Sequence, residues 1–214
     1  MSSYFNTRYA DHPGRPDVWR AVCEYLQRFV PANADVLDLG AGRCDFINHI
    51  VAARKLALDS DGEAAERCGP QVHFVHESAA NPNAIEASSV DVVFASNFLE
   101  HFEGKELDLI VTNVVEWLRP GGRLILIQPN YQFCYRTYWD DYTHRTAFSH
   151  LSLPDFLTAH GLNVAEIKKR FLPFSFRSRL PKSYWVTKAY LCSPWKPLAA
   201  QMLVIADKDK PGNV

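Results

Sequence analysis

The chain has 214 residues, of which 47% are hydrophobic and 22% are charged, and its formal net charge is −1. This composition is typical of a globular protein and excludes a chain that is disordered over most of its length. The near-neutral charge also argues against a polycationic surface, so no nucleic acid is expected as a partner.

The cysteines and the apolar stretches bear on the cellular compartment. Five cysteines are scattered along the chain without a CxxC spacing, which argues against a disulfide framework and against a structural zinc site. No apolar stretch approaches the roughly 18 residues that a membrane span needs, and the amino-terminal residues show no signal segment. We therefore expect a cytoplasmic location.

Helix-like and strand-like segments alternate along most of the chain. Residues 1–16 are expected to form an N-terminal arm, and residues 17–214 a single domain whose first helix has Asp17 as its N-cap. The short apolar runs that follow are typical of parallel strands buried on both faces of an α/β sheet. Strands are predicted at 35–39, 55–59, 72–76, 90–95 and 123–127, helices at 18–29, 46–53, 61–67 and 104–118, and a turn at 120–122.

A glycine-containing turn follows the first predicted strand. Gly40 and Gly42 allow a ligand to approach the backbone closely, and Asp59 ends the second strand nineteen residues after Gly40. A carboxylate at that place can accept hydrogen bonds from both hydroxyls of a ribose, so the pattern predicts a nucleoside site. A dinucleotide fingerprint would need a third glycine at position 45, where Asp45 would repel a pyrophosphate.

The chain resembles the class I methyltransferases that depend on S-adenosylmethionine (SAM). The resemblance rests on VLDLGAG at 36–42, ALDSD at 57–61, SVDVVFASNFLEHF at 89–102 and LRPGGRLILIQPN at 118–130. It implies a Rossmann-like, mostly parallel seven-stranded sheet of order 3-2-1-4-5-7-6, with helices on both faces and the last two strands near 163–169 and 202–206.

The same resemblance implies SAM as the cofactor. Asp38 would favour a cationic ligand, and Cys44 stands where relatives have a third glycine. The residues implied in cofactor binding are Asp38, Gly40, Ala41, Gly42, Asp59, Ser60, Ser78, Ala79, Ser96, Asn97 and Phe98.

The acceptor side is predicted in residues 131–150, after the fifth strand. This acceptor-side loop is rich in aromatic residues, of which Tyr138 and Trp139 are expected to contact the substrate. A hydroxyl acceptor needs a general base, and an imidazole suits proton transfer near neutral pH. His144 is the first candidate, followed by Asp141, Asp140 and His101. No metal is expected, because Asp141 and His144 alone are weak evidence for a metal site.

The carboxyl-terminal part of the domain is basic and aromatic. Residues 167–206 contain eight basic residues and no acidic one, whereas the remainder has 15 basic and 24 acidic residues. Within a predicted insertion at 170–200, Arg177 and Arg179 are expected to bind an anionic substrate. A solvated insertion and a peripheral membrane contact through 170–200 are the alternatives.

These patterns favour methylation of a small molecule or a glycan precursor, such as a sugar nucleotide or a lipid-linked saccharide, on oxygen. The 131–150 and 170–200 segments resemble those of a bacterial subgroup associated with polysaccharide or glycolipid assembly. Ser96-Asn97-Phe98-Leu99 replaces the tetrapeptide that grips the amino group of a nucleic-acid base. The alternatives are N- or carboxyl-methylation of a small metabolite, and a non-catalytic protein that binds SAM or S-adenosylhomocysteine (SAH). No pattern indicates an oligomeric state.

Overall fold

One seven-stranded sheet organises the computed structural model, which describes residues 12–173 and 181–210. The strands lie in the order β3-β2-β1-β4-β5-β7-β6, and β7 is antiparallel to both of its neighbours. This confirms the expected Rossmann-like order. The strands are β1 (Asp35–Leu39), β2 (Arg54–Asp59), β3 (Val72–His76), β4 (Val90–Ser96), β5 (Leu118–Pro129), β6 (Leu162–Pro173) and β7 (Ala199–Lys208).

Helices cover both faces of this sheet. They are α1 (Arg15–Leu26), α2 (Asp45–His49), α3 (Gly104–Trp117), α4 (Tyr131–Cys134), α5 (Ser152–Ala159) and α6 (Tyr184–Cys192). Short 3-10 turns lie at Gln27–Phe29, Gly62–Arg67, Pro82–Ala84, Leu99–His101 and Tyr138–Asp140. In the described ranges, no helix is long and apolar enough to cross a membrane.

The first helix begins earlier than its apolar spacing predicts. Helix α1 begins at Arg15, its N-cap is Gly14, and no side chain caps it, so the prediction of Asp17 as N-cap is wrong. Asp17 lies instead in the first turn and forms an ion pair with Arg20 at 3.2 Å. Residues 15 and 16 therefore belong to the helix, and most of the predicted arm lies outside the described residues.

Two other boundaries also differ from the prediction. Helix α2 ends at His49, not at residue 53, because the chain turns extended at Ile50. The amides of Ala53 and Arg54 then bond to the carbonyl of Ala34, which leads the chain into β2. The turn predicted at 120–122 lies inside β5. It interrupts the pairing of β5 with β4, because Val90 pairs with Leu118 whereas Val92 pairs with Arg123.

The central strands β1, β4 and β7 are buried on both faces, as continuous apolar strands require, whereas the edge strand β6 alternates between less and more exposed residues. Leu37 and Leu39 of β1 belong to a core cluster with α3 and α5, whereas Val36 belongs to a second cluster with α1 and α2. Because β1, β2, β4 and β5 are parallel, their carboxyl ends meet at one edge. A ligand of such a sheet binds beyond that edge.

Candidate functional site

The loop from β1 to α2 brings left-handed backbone to the carboxyl edge of the sheet. Gly40 has φ +66°, and a Cβ atom there would lie 2.2 Å from Cδ2 of Phe98. Gly42 has φ +51°. Glycine at position 40 is therefore required both by torsion and by the close approach of the Phe98 ring, which joins this loop to the segment after β4.

Cys44 takes the place of the third glycine in the same left-handed region, with φ 55°. This conformation costs a side-chain-bearing residue about 1–2 kcal/mol. The fully buried Cys44 thiol lies 3.5 Å from the carbonyl oxygen of Ala64 and 2.7 Å from Sγ of Cys68. These contacts offset part of the torsional cost, so the loop keeps its turn without a glycine at position 44.

Asp59 holds the loop at the end of β2. Its Oδ2 atom accepts a hydrogen bond from the amide of Gly42 at 2.8 Å, and its Oδ1 atom accepts one from the amide of Asp61 at 2.9 Å. Burial raises the pKa of Asp59, and these two hydrogen bonds oppose the increase. Oδ2 of Asp61 is buried and has no hydrogen-bond partner among the described residues. The Asp59 carboxylate ends β2, where a ribose is expected, and its contact with the ribose hydroxyls stays a prediction.

Two further carboxylates lie beneath the loop. Asp38 is buried and accepts a hydrogen bond from the amide of Ile47 at 3.3 Å, and burial raises its pKa well above the usual range. Asp45 pairs with Arg15 at 2.7 Å, a contact that sequence reasoning missed because the two residues belong to different helices. Burial raises the pKa of Asp45, and Arg15 opposes the increase. The direct role of Asp38 toward a cationic ligand stays a prediction.

The other predicted cofactor residues lie on the loops that follow β1 to β4. Asn97 has φ 50°, and its Oδ1 atom accepts a hydrogen bond from Gln201 at 2.7 Å. Its Nδ2 donates to Ser96 Oγ at 3.2 Å, and the amide of Phe98 donates to Gln128 Oε1 at 3.2 Å. Ala41 and Ala79 are buried, whereas Ser60 and Ser78 are exposed. Their contacts with the cofactor stay predictions.

The acceptor-side loop places its two predicted substrate contacts differently. Tyr138 is fully buried, its hydroxyl donates to the carbonyl of Thr146 at 2.5 Å, and burial raises its pKa. Tyr138 therefore belongs to the core of this loop, and its contact with a substrate stays a prediction. Trp139 is 52% exposed and packs edge-on against Tyr138 at a centroid distance of 5.0 Å. Arg177 and Arg179 lie outside the described residues.

Both histidines proposed as bases lie in one cluster. Nδ1 of His144, which is buried, lies 2.7 Å from the carbonyl oxygen of Tyr138. Nδ1 of His101 lies 3.0 Å from Oγ1 of Thr143, which donates to Oδ1 of Asp141 at 2.7 Å. The two imidazole centroids are 5.3 Å apart. Burial lowers the pKa of His101, and the nearby His144 adds to the decrease. Asp140, by contrast, is exposed.

Glu100 completes this cluster, and it is not among the residues that the sequence predicts for the site. Its side chain is 1% exposed and lies beside Gln128, whose hydrogen bond opposes the effect of burial on the pKa of Glu100. Burial raises the pKa of Glu100 to about 8. The amides of Arg145 and Thr146 both donate to its backbone carbonyl, which fastens the acceptor-side loop beside β4. The Leu99-Glu100-His101 sequence was the available signal, but an adjacent Glu and His do not reveal that both turn inward.

A basic hollow of about 1060 Å³ lies between β6 and the segment after α6. Two of its cations are already engaged: the Arg170 guanidinium lies 3.7 Å from the centroid of the Phe133 ring, and Lys196 donates to Leu191 at 2.8 Å. Trp195, also in the lining, is 76% exposed. The described parts of 170–200 thus combine exposed aromatic and basic groups, and their role in substrate or membrane contact stays a prediction.

Comparisons with known proteins agree with this geometry. Residues 37–126 match the family Methyltransf_11, a methyltransferase domain. A segment of phosphoethanolamine N-methyltransferase 1 of Triticum aestivum is 28% identical over 126 residues, which are 54% of this chain and 24% of that protein. The chain therefore spans about a quarter of the length of this curated relative.

Solved structures share the fold. A SAM-dependent methyltransferase from Archaeoglobus fulgidus aligns with a TM-score of 0.64 at 19% identity, over 89% of this chain and 94% of that chain. N-methyltransferase NodS from Bradyrhizobium japonicum WM9, in complex with SAH, aligns with a TM-score of 0.64 at 15% identity, over 94% of this chain and 89% of that chain.

The fold is that of the class I, Rossmann-like methyltransferases of solved structure, and the site lies at the carboxyl edge of the sheet where the sequence motifs predict it. Within that fold, residues 37–126 resemble a methyltransferase domain of type 11, and this segment holds the motifs that predict SAM as the cofactor. The resemblance found in the sequence motifs is thereby confirmed.

Proposed function

We propose that this protein transfers the methyl group of SAM to an oxygen atom of a small molecule or glycan precursor. One observation carries the proposal. The ring of Phe98 lies against Gly40 of the cofactor loop, and Glu100 and His101 follow Phe98 closely in the chain. The cofactor loop and the histidine cluster are thus neighbours at one edge of the sheet, as a transfer between two bound molecules requires.

The residues at the carboxyl edge fit SAM. Gly40 and Gly42 leave room at their own positions for a close approach of the ligand, and the Asp59 carboxylate offers acceptors for the ribose hydroxyls. Bound SAM supplies an activated methyl group on a sulfonium centre. The protein contributes the orientation of the two reactants and a site from which water is excluded.

We assign activation of the acceptor to Glu100, His101 and His144. A hydroxyl acceptor must lose a proton as its oxygen is methylated, and a group within hydrogen-bond reach accelerates this step. With Nδ1 donating to the carbonyl of Tyr138, a neutral His144 carries its lone pair on Nε2, as a base requires. Trp139 provides an exposed indole on which a sugar ring or a planar acceptor can stack.

The acceptor is proposed to be anionic, because basic side chains concentrate between residues 167 and 206. The name of the wheat relative supports a second candidate, N-methylation of a small amine that carries a phosphate. We propose a cytoplasmic location with either candidate, and the five free thiols agree with it. Peripheral membrane contact through the exposed Trp185 and Trp195 is compatible with a lipid-linked acceptor.

A turnover assay tests the proposal. The protein is incubated with SAM and separate pools of sugar nucleotides, phosphorylated amines and carboxylic acids, and SAH formation is followed. We expect SAH to form with a hydroxyl-bearing anionic pool and kcat to fall at least about 100-fold in His144→Gln. Turnover with the phosphorylated amines alone would contradict O-methylation and support the second candidate, N-methylation of a small amine. SAH binding without turnover on any pool would indicate a regulatory protein.

A further inference from the structure

Three large apolar side chains in the carboxyl-terminal part of the chain are exposed to solvent. Trp185 and Trp195 are 73% and 76% exposed, and Leu198 is 63% exposed. Leu198 also has φ 58°, a left-handed conformation that is unfavourable for a bulky residue. Single exposed apolar residues are ordinary, whereas a group of them on one surface marks a place of contact with another molecule.

Helix α6 connects these side chains into one surface. Trp185 and Cys192 are seven residues apart, which is just under two helical turns, so both lie on the same side of the helix. Cys192, Trp195 and Leu198 all line the basic hollow between β6 and the segment after α6. The apolar face of α6 therefore continues into the rim of the hollow. The exposed residues of this face are all uncharged: Trp185, Val186, Ala189 and Cys192.

The hollow beside this apolar face has a positive charge. Lys168 pairs with Glu166 at 2.8 Å, whereas Arg28 and Arg170 donate to backbone carbonyls. Because a carbonyl is neutral, these two guanidinium groups keep their charge available to an anion. Among the described residues that line the hollow none is acidic, and the cationic ones are Arg28, Lys168, Lys169, Arg170 and Lys196.

An anionic lipid surface matches both the charge and the exposed apolar groups. Lipid headgroups with a negative charge attract Lys and Arg side chains, and the indole of tryptophan favours the boundary between the headgroups and the acyl chains. A soluble phosphate would pair with the cations but would leave Trp185, Trp195 and Leu198 in water. A purely apolar partner would bury these three side chains but would leave the cations without counter-charge.

We propose that the apolar face of α6 and the rim of the hollow dock the protein on an anionic lipid bilayer. Trp185, Trp195 and Leu198 enter the headgroup boundary, and the cations of the hollow contact lipid phosphates. This inference deepens the proposed function and rests on it only for the purpose of docking, which is to present a lipid-linked acceptor to the site. The hollow adjoins the acceptor-side loop, because the Arg170 guanidinium lies over the Phe133 ring.

Co-sedimentation with lipid vesicles tests this docking surface. The full chain is mixed with vesicles of phosphatidylcholine alone, and with vesicles of equal parts of phosphatidylcholine and phosphatidylglycerol. We expect binding to the anionic vesicles only, and release from them at high salt because salt screens the charges. The tryptophan emission should shift to shorter wavelength on binding, because exposed indoles leave water.

Matched substitutions relate the binding to this surface. Trp195→Ser should weaken binding to anionic vesicles at least about 10-fold, and Lys169→Glu at least about 5-fold. Leu109→Ser and Lys105→Glu change exposed residues of α3 and should leave the binding unchanged. Helix α3 packs on the opposite face of the sheet from Phe171, which lines the hollow. All four substituted side chains are exposed, so an unchanged Tm shows that a loss of binding reports on the surface and not on the fold.

Absence of binding to anionic vesicles, equal binding to neutral ones, or unchanged binding by Trp195→Ser and Lys169→Glu would overturn the docking surface. Light scattering without lipid tests another occupant. A dimer that Trp195→Ser makes monomeric, without vesicle binding, would assign the surface to a second copy of the chain. SAH titration is independent. SAH binding without vesicle binding would overturn the docking surface alone, whereas vesicle binding without SAH binding would support it and contradict the proposed function.

Discussion

Replacement of Gly40 by alanine tests whether the cofactor loop needs glycine for space as well as for torsion. Gly40 has φ +66°, and a Cβ atom would lie 2.2 Å from the ring of Phe98. Gly104 is a matched control, because it has φ +53° but no heavy atom of the described residues lies within 4 Å of the place that its Cβ atom would take. The two alanine variants therefore share the torsional strain and differ in the steric clash.

The expected loss of stability follows from these two contributions. An alanine in the left-handed conformation lowers the unfolding free energy by about 1–2 kcal/mol. The lower conformational entropy of the unfolded alanine variant raises it by about 0.4–1 kcal/mol. Gly104→Ala should therefore lose about 1 kcal/mol of unfolding free energy. Gly40→Ala must also displace Phe98, and overpacking adds about 1–3 kcal/mol, for a total of about 2–4 kcal/mol.

Urea unfolding of both variants measures this difference, and titration with SAH measures its consequence for the site. SAH affinity should fall in Gly40→Ala and stay unchanged in Gly104→Ala. Equal losses of stability in the two variants, within about 0.5 kcal/mol, would refute the argument that Phe98 closes over the loop.

Three further substitutions or reactions test other parts of the structure. Asp59→Ala removes two hydrogen bonds to a carboxylate, so urea unfolding should show a loss of about 2–4 kcal/mol; an unchanged value would contradict its role in the loop. Arg15→Ala removes the ion-pair partner of the partly buried Asp45 and should cost about 2 kcal/mol, whereas Arg20→Ala removes an exposed ion pair and should cost at most about 1 kcal/mol. In the native protein, the exposed Cys192 should react with a thiol reagent first; rapid reaction of the buried thiols would show an open structure.

The fold was predictable because its signals are local and repeated. Each parallel strand is a continuous apolar run, and the glycine or polar residues that follow these strands lie at the same edge of the sheet. The motif around Gly40 and the carboxylate of Asp59 predict the cofactor class from a few residues whose spacing is fixed by the strand–loop–helix unit.

What could not be predicted depends on contacts between distant segments. The pairing of Arg15 with Asp45 needs the relative position of two helices. Tyr138 and Trp139 are adjacent aromatic residues, but only the tertiary packing buries the first and exposes the second. Glu100 was overlooked because glutamate is usually exposed, and its burial beside His144 depends on how residues 131–150 fold back over β4.

Every role proposed for this chain requires that it bind SAM through the loop at Gly40 and the carboxylate at Asp59. Calorimetric titration with SAH measures that binding without any knowledge of the acceptor. We predict micromolar binding by the native protein, binding at least about 10-fold weaker in Asp59→Ala, and no binding of NAD. Absence of SAH binding by folded protein, or binding of NAD in its place, would contradict the assignment of this cofactor site.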